Sequence, residues 1–198
     1  MLYFALKLIE NELKDYVAIH GTESNFTRAN VSLGNIGMTE ADGGQNLNDM
    51  LVISLVNLEE ERTLKNNIPI IKSPTTGKLE AFNPFINLNL YVLFSANFAN
   101  NYELALRMLG LVIRFFQGRF VFTSKNSLSL SPGNSEQFKL IFNLYTLTFE
   151  QLNHLWGSLG GKQVPSVMYR MWLVEEKDEQ PKRSGELITD IEANTRTH

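Results

Sequence analysis

The chain has 198 residues, no cysteine, and a formal net charge of −3 from 18 bases and 21 acids. That length suits one domain with a real core, and the missing cysteines exclude disulfides, thiolate metal sites and a cysteine nucleophile. Residues 175–198 hold seven acids against four bases, so the whole net charge falls in this tail; the remainder is balanced and offers no basic cluster of the kind nucleic acid requires.

From the N-terminus, Leu2, Ala5, Leu6, Ile9, Leu13, Tyr16 and Val17 recur at three- and four-residue spacing and predict a helix with one buried face over 1–17. It has no basic lead and no small-residue cleavage site, so it does not read as a secretory signal. A loop from His20 to Asn25 precedes a short strand expected over Asn30–Ile36, and Glu40–Asn46 reads as a glycine-containing loop. Met50–Leu58 is apolar on both alternating faces, the mark of a central, covered strand, which Glu59, Glu60 and Glu61 then lead out of the sheet. Pro69, Pro74, Pro84 and Thr75-Thr76-Gly77 make 66–85 a long excursion, and loops of that length inside compact domains often carry function.

Asn87–Ala96 is the strongest strand signal. The helix expected after Asn101 is apolar nearly all round, leaving Glu103, Arg107, Gly110 and Arg114 for water. A helix of an ordinary domain has one apolar stripe, so this one calls for a second cover, and in so short a chain a second copy of the protein is the expected source. Its two arginines and glycine also keep it short of the roughly 18 apolar residues of a membrane span. Strands follow over 118–123 and 138–147, separated by a polar loop at 124–135. A helix then begins at Thr148, where Gln151 three residues on completes a capping box, and Phe149, Leu152, Leu155, Trp156 and Leu159 form its buried stripe. Gly160-Gly161 ends it, Ser166–Val174 is the last strand, and Leu187–Ile191 is an apolar island in the polar tail that could add as an edge strand. These elements define an α+β chain whose domain spans 1–174, with a polar acidic arm over 175–198.

No catalytic constellation emerges. His20, His154 and His198 have no second histidine or acid at metal-ligand spacing. Gly157–Gln163 imitates a phosphate loop but has Trp156 where the first glycine belongs and Gln163 where a Ser or Thr would meet magnesium; a helix C-cap explains it. Glu59–Glu61 point in alternating directions and read as a solvated strand end. No enzyme, cofactor or metal is expected.

Several blocks in order carry a family resemblance: Leu33–Ile36, Ile53–Glu61, Leu88–Ala96, Val112–Gln117, Glu150–Lys162 and Val164–Tyr169. Together they resemble the tail-terminator or cap proteins of extracellular contractile injection systems, phage-tail-like particles of the antifeeding-prophage type. The resemblance covers the chain to about Val174 and is weakest in the acidic tail. It implies a mixed, mainly antiparallel sheet flanked by helices, and a hexameric ring closing the distal end of the inner tube and touching the last sheath layer. The implied partners are further copies of the chain, the tube protein and the sheath protein, within a particle assembled in the cytoplasm. No catalytic residues come with it. Ring closure needs a heterologous contact, for which the expected positions are Arg107, Arg114, Phe115, Phe116, Gln117 and Arg119, with Lys72, Lys78 and Phe82 of the excursion reaching an adjacent ring. The competing reading is an adaptor that joins the particle end to a membrane or host factor through the polar tail.

Overall fold

Strand 88–97 is apolar toward both sides, and a strand can be so only if both faces of its sheet are covered. In a computed structural model, which describes residues 2–38, 45–61, 70–72, 79–81, 87–123, 126–127, 138–175 and 183–185, this strand lies inside a six-stranded sheet. The chain runs α1 (Leu2–His20), β1 (Val31–Leu33), β2 (Met50–Glu60), β3 (Ile70–Lys72), β4 (Leu79–Ala81), β5 (Leu88–Asn97), α2 (Tyr102–Gly118), β6 (Val121–Thr123), β7 (Phe138–Tyr145), α3 (Phe149–Ser158), β8 (Ser166–Glu175) and β9 (Arg183–Gly185). The sheet order is β1-β2-β5-β8-β7-β6. β1 pairs parallel to β2 and every other neighbour in this sheet is antiparallel, as the mixed, mainly antiparallel expectation requires.

Alternation along β5 sorts the two cores. Leu90, Val92, Phe94 and Ala96 point to the face covered by α1 and α2, where they join Leu51, Ile53, Leu140, Phe142, Tyr169 and Met171. Leu93 points the other way and packs with Met168 beneath Trp156 of α3, flanked by the half-buried Leu152, Leu155 and Leu159. On the larger face Phe116 is the hub: its ring centroid lies 4.4 Å from Tyr169, 4.6 Å from Phe142, 4.9 Å from Phe115 and 5.3 Å from Phe94. Rings at these separations add to their burial through edge-to-face and offset contacts.

The helix ends follow their residues. Asn101 caps α2 by accepting from the Leu104 N–H at 3.1 Å. Thr148 and Gln151 exchange both capping-box bonds at 3.2 and 3.0 Å. Gly160 and Gly161 adopt φ +97° and +79°, and the Gly161 N–H reaches back to Trp156 O at 2.7 Å, a left-handed termination that side chains with a Cβ rarely accept.

Three expectations change. β2 does not leave the sheet at Glu59: Glu59 and Glu60 still face Asn89 and Leu88 of β5, and Glu61 N–H bonds Asn87 O, so the ladder continues through the acids. The 66–85 excursion is not wholly irregular, since β3 and β4 pair antiparallel within it and β9 adds to β4, making a second, three-stranded sheet. Phe149, expected in the buried stripe of α3, is 92% exposed, because burial rises along this helix and only its later turns meet the sheet. The island Leu187–Ile191, most of the Glu40–Asn46 loop and most of 124–135 lie outside the described residues.

Two measurements test this packing. Phe116→Ala removes the hub ring and is expected to cost about 3–5 kcal/mol in urea unfolding, whereas a loss below about 1 kcal/mol would contradict its central place. Glu10 on α1 is 2% exposed and accepts from Lys14 at 2.7 Å and Lys7 at 2.5 Å. Burial pushes its carboxyl up, but the two lysine hydrogen bonds outweigh this and hold it below the usual 4.5. A depressed carboxyl stabilises the fold above its unfolded pKa, and that contribution disappears as pH falls through the lowered folded value. Glu10→Gln is therefore expected to flatten the fall in melting temperature below about pH 4.5; an unchanged acid limb would show that Glu10 plays no part in it.

Candidate assembly surfaces

α2 is amphipathic in place. Ala105, Met108, Val112, Phe115 and Phe116 are buried against the sheet, whereas Tyr102, Leu106 and Ile113 are 67%, 49% and 37% exposed. At about 100° per residue these three, with the half-buried Leu109, make one stripe along a flank. The opposite flank meets α1: the Phe115 ring lies 5.2 Å from Tyr16, and Arg107 reaches Ser24 at 3.5 Å. The free flank thus looks away from α1. It continues onto the sheet at Leu144, 59% exposed, which pairs with Tyr169 beneath Phe116 and lies one strand farther out.

A second uncovered surface lies at the other side of the sheet. β1 is only three residues long and covers β2 from Leu51 to Ile53; among the described strands none pairs with the outer edge of Leu55–Leu58. A register shift between Leu55 and Asn57 inserts one extra residue there. In a regular strand Leu55 and Leu58, three apart, would point to opposite faces; with the bulge they oppose Val92 and Leu90, both on the α1–α2 face. They are 39% and 41% exposed.

The expected interface residues separate into groups. Arg107 is exposed and paired with Glu103 one turn back at 2.6 Å, and Arg114 and Gln117 are exposed on the outer side of α2. Phe115 and Phe116 are 6% and 3% exposed and belong to the core, since the apolar stripe they extend is the one seated on the sheet; they present nothing to a partner. Arg119 is held within the chain: it donates to Glu12 at 3.0 Å, Asn126 O at 2.6 Å and Ser127 at 3.1 Å, and its guanidinium sits 4.3 Å above the Phe122 ring. Lys72 closes β3; Lys78 and Phe82 lie outside the described residues. Exposed Tyr102, Leu106, Ile113, Leu55 and Leu58 were not singled out from sequence, although the all-round apolarity of α2 was the signal for the first three.

A cleft of about 550 Å³ opens at the end of β5, between Ile36, Leu47, Asn97, Phe98, Tyr102 and Lys162. Among the described residues its lining holds no carboxylate and no histidine. Glu59 accepts from Tyr91 at 2.9 Å and Glu61 from Asn89 at 2.7 Å, tying these acids to the sheet rather than to each other. Among the described residues no group of three or more His, Asp or Glu could hold a metal ion, and no helix is long and apolar enough to cross a membrane.

Helices cover both faces of the mixed sheet, and exposed apolar side chains remain on α2 and β2. Residues 6–190 match the model of the Pvc16 N-terminal domain, and the chain belongs to that family. Among solved structures it is similar to the sheath/tube terminator of an extracellular contractile injection system, PVC, in its extended state. That likeness has 17% identity and a TM-score of 0.48, over 75% of this chain and 50% of that one. It is also similar to the tube-terminating cap of the anti-feeding prophage, with 11% identity and a TM-score of 0.47, over 74% of this chain and 49% of that one. The chain spans about half the length of these solved proteins. No curated protein matches it in sequence.

The two arginines that look alike in sequence should behave differently. Arg119→Ala is expected to lower stability by about 1–3 kcal/mol, since it removes the ion pair to the largely buried Glu12 and the hydrogen bonds to the Asn126 turn. Arg114→Ala should stay within about 0.5 kcal/mol of the parent. Equal effects in urea denaturation would contradict this division.

Proposed function

We propose that the chain is a structural, non-catalytic cap that forms a hexameric ring, closes the distal end of the inner tube and contacts the last sheath layer of a contractile injection particle. The observation that carries this reading is the family match over residues 6–190; the role proposed is the one the solved proteins' descriptions name, sheath/tube terminator and tube-terminating cap. Open apolar surfaces on a stable sheet support it, because a terminator works through broad contacts rather than through a reactive centre. Within the ring, Arg107, Arg114 and Gln117 on the outer side of α2 serve as contact positions, and the 66–85 segment, with Lys72, Lys78 and Phe82, reaches the adjacent layer. In this reading residues 1–174 form the ring domain and 175–198 an arm, of which 183–185 is tied back to β4.

Particles assembled without this chain, imaged by electron microscopy, provide the test. Tubes of uncontrolled length with open distal ends are expected. Particles of normal length distribution and closed ends would refute the cap, and normal particles that no longer attach to their target would move the assignment to the adaptor.

A further inference from the structure

We infer that neighbouring copies of this chain join head to tail by inserting Phe149 of one copy into the cleft at the end of β5 in the next, where Glu150 of the first copy meets Lys162 of the second. This deepens the ring reading above and rests on it. Phe149 opens α3 and is 92% exposed, the highest value for a large apolar side chain among the described residues. It stands three residues before Leu152, so it extends the stripe of Leu152, Trp156 and Leu159 beyond the turn that first meets the sheet. The cleft lies at the other end of the same helix. The chain leaving α3 passes close to Gly37, and residues 162–165 line the cleft together with Ile36, Met38 and Leu47. The ten residues of α3, a rise of about 15 Å, separate knob from cleft, so the two cannot meet within one molecule. A contact between unlike surfaces, repeated by rotation, is what closes a ring.

The chemistry of the two sites is complementary and is not spent inside the chain. The cleft, about 550 Å³, has room for an aromatic ring, and Ile36, Met38, Leu47, Phe98 and Val164 give it apolar walls. Among the described residues of its lining, Lys162 alone is charged. Lys162 and Glu150 are both exposed, and among the described residues neither side chain has a hydrogen bond or an ion pair. Consecutive helical residues point about 100° apart, so with Phe149 inserted Glu150 stays at the rim, beside exposed Lys162. A partner for this cleft must bring an apolar knob next to a carboxylate. Phe149-Glu150 of a second copy brings both, on a helix whose first turn is fixed by the Thr148–Gln151 capping box. An aromatic anchor enclosed in a pocket is the kind of contact that carries most of an interface's affinity.

Native mass spectrometry on the full chain tests the inference with Phe149→Ala, Glu150→Lys, Lys162→Glu and the double reversal that combines the last two. All of these positions are exposed, so far-UV circular dichroism and melting should stay near the parent. The parent is expected as closed rings. Phe149→Ala and each single reversal should need at least about tenfold more protein to assemble. The double reversal should regain rings at the parent's concentration, because opposite charges again meet across the contact, a recovery that damaged folding cannot produce. Phe149→Ala or a single reversal assembling like the parent, a double reversal no better than the single ones, or a parent that stays monomeric overturns the inference. Particles of normal length built with Phe149→Ala, beside overlong tubes when the chain is absent, would sink this contact and leave the cap reading standing. Rings that depend on Phe149 and Lys162 but do not set tube length would uphold the contact and remove the cap reading.

Discussion

Phe116 sits where two demands on α2 meet. The helix must be held tightly enough that its position on the sheet is fixed, and this is achieved by a buried ring in contact with Phe94 of β5, Phe142 of β7 and Tyr169 of β8. Burying a side chain of this size is worth about 1.5–3 kcal/mol before ring geometry is added. Because the contacts spread over three strands, α2 can neither roll nor slide without breaking several at once. What the helix presents outward is thereby as fixed as what it buries.

That constraint governs the rest of the molecule. With α2 committed over the middle of the sheet and α1 over its β1 side, the larger face is filled and α3 is left the other face, where only Leu93, Met168 and their neighbours need cover. The exposed apolar side chains of α2 and β2 belong to regular elements rather than loops, so their positions are fixed by the same packing. The polar groups near these surfaces are mostly tied within the chain. Arg119 is committed to Glu12 and the Asn126 turn, Glu59 to Tyr91, and Glu61 to Asn89.

Much of this was legible in the residues. The long elements α1, β5, α2 and β8 fell where periodicity placed them, β2 ran two residues past its expected end, and Thr148, Gln151 and Gly160-Gly161 marked the ends of α3 by local chemistry that does not depend on the fold. What was hidden has a common cause: it depends on which face another element occupies. Phe115 and Phe116 are as apolar as Leu106 and Ile113, and only the position of the sheet decides which pair is core. Phe149 lies on the apolar stripe of its helix but before the turn that reaches the sheet. The extra residue in β2 cannot be seen by counting alternation along one strand, since a bulge is defined by its partner. Pro69, Pro74 and Thr75-Thr76-Gly77 pointed to turns, and masked two three-residue strands too short to show a period.

The small sheet of β3, β4 and β9 has a bearing on how the chain comes together. Leu79 pairs with Gly185, across roughly a hundred residues, with only three residues on each strand to offset the closure. Strands so short and so distant in sequence gain little until the large sheet has brought their ends near, so their pairing falls late in folding. By the same balance it opens early, at a free energy well below that of global unfolding. Among the described strands, 70–72, 79–81 and 183–185 are thus the ones most readily exchanged for contacts elsewhere, while the core around Phe116 stays closed.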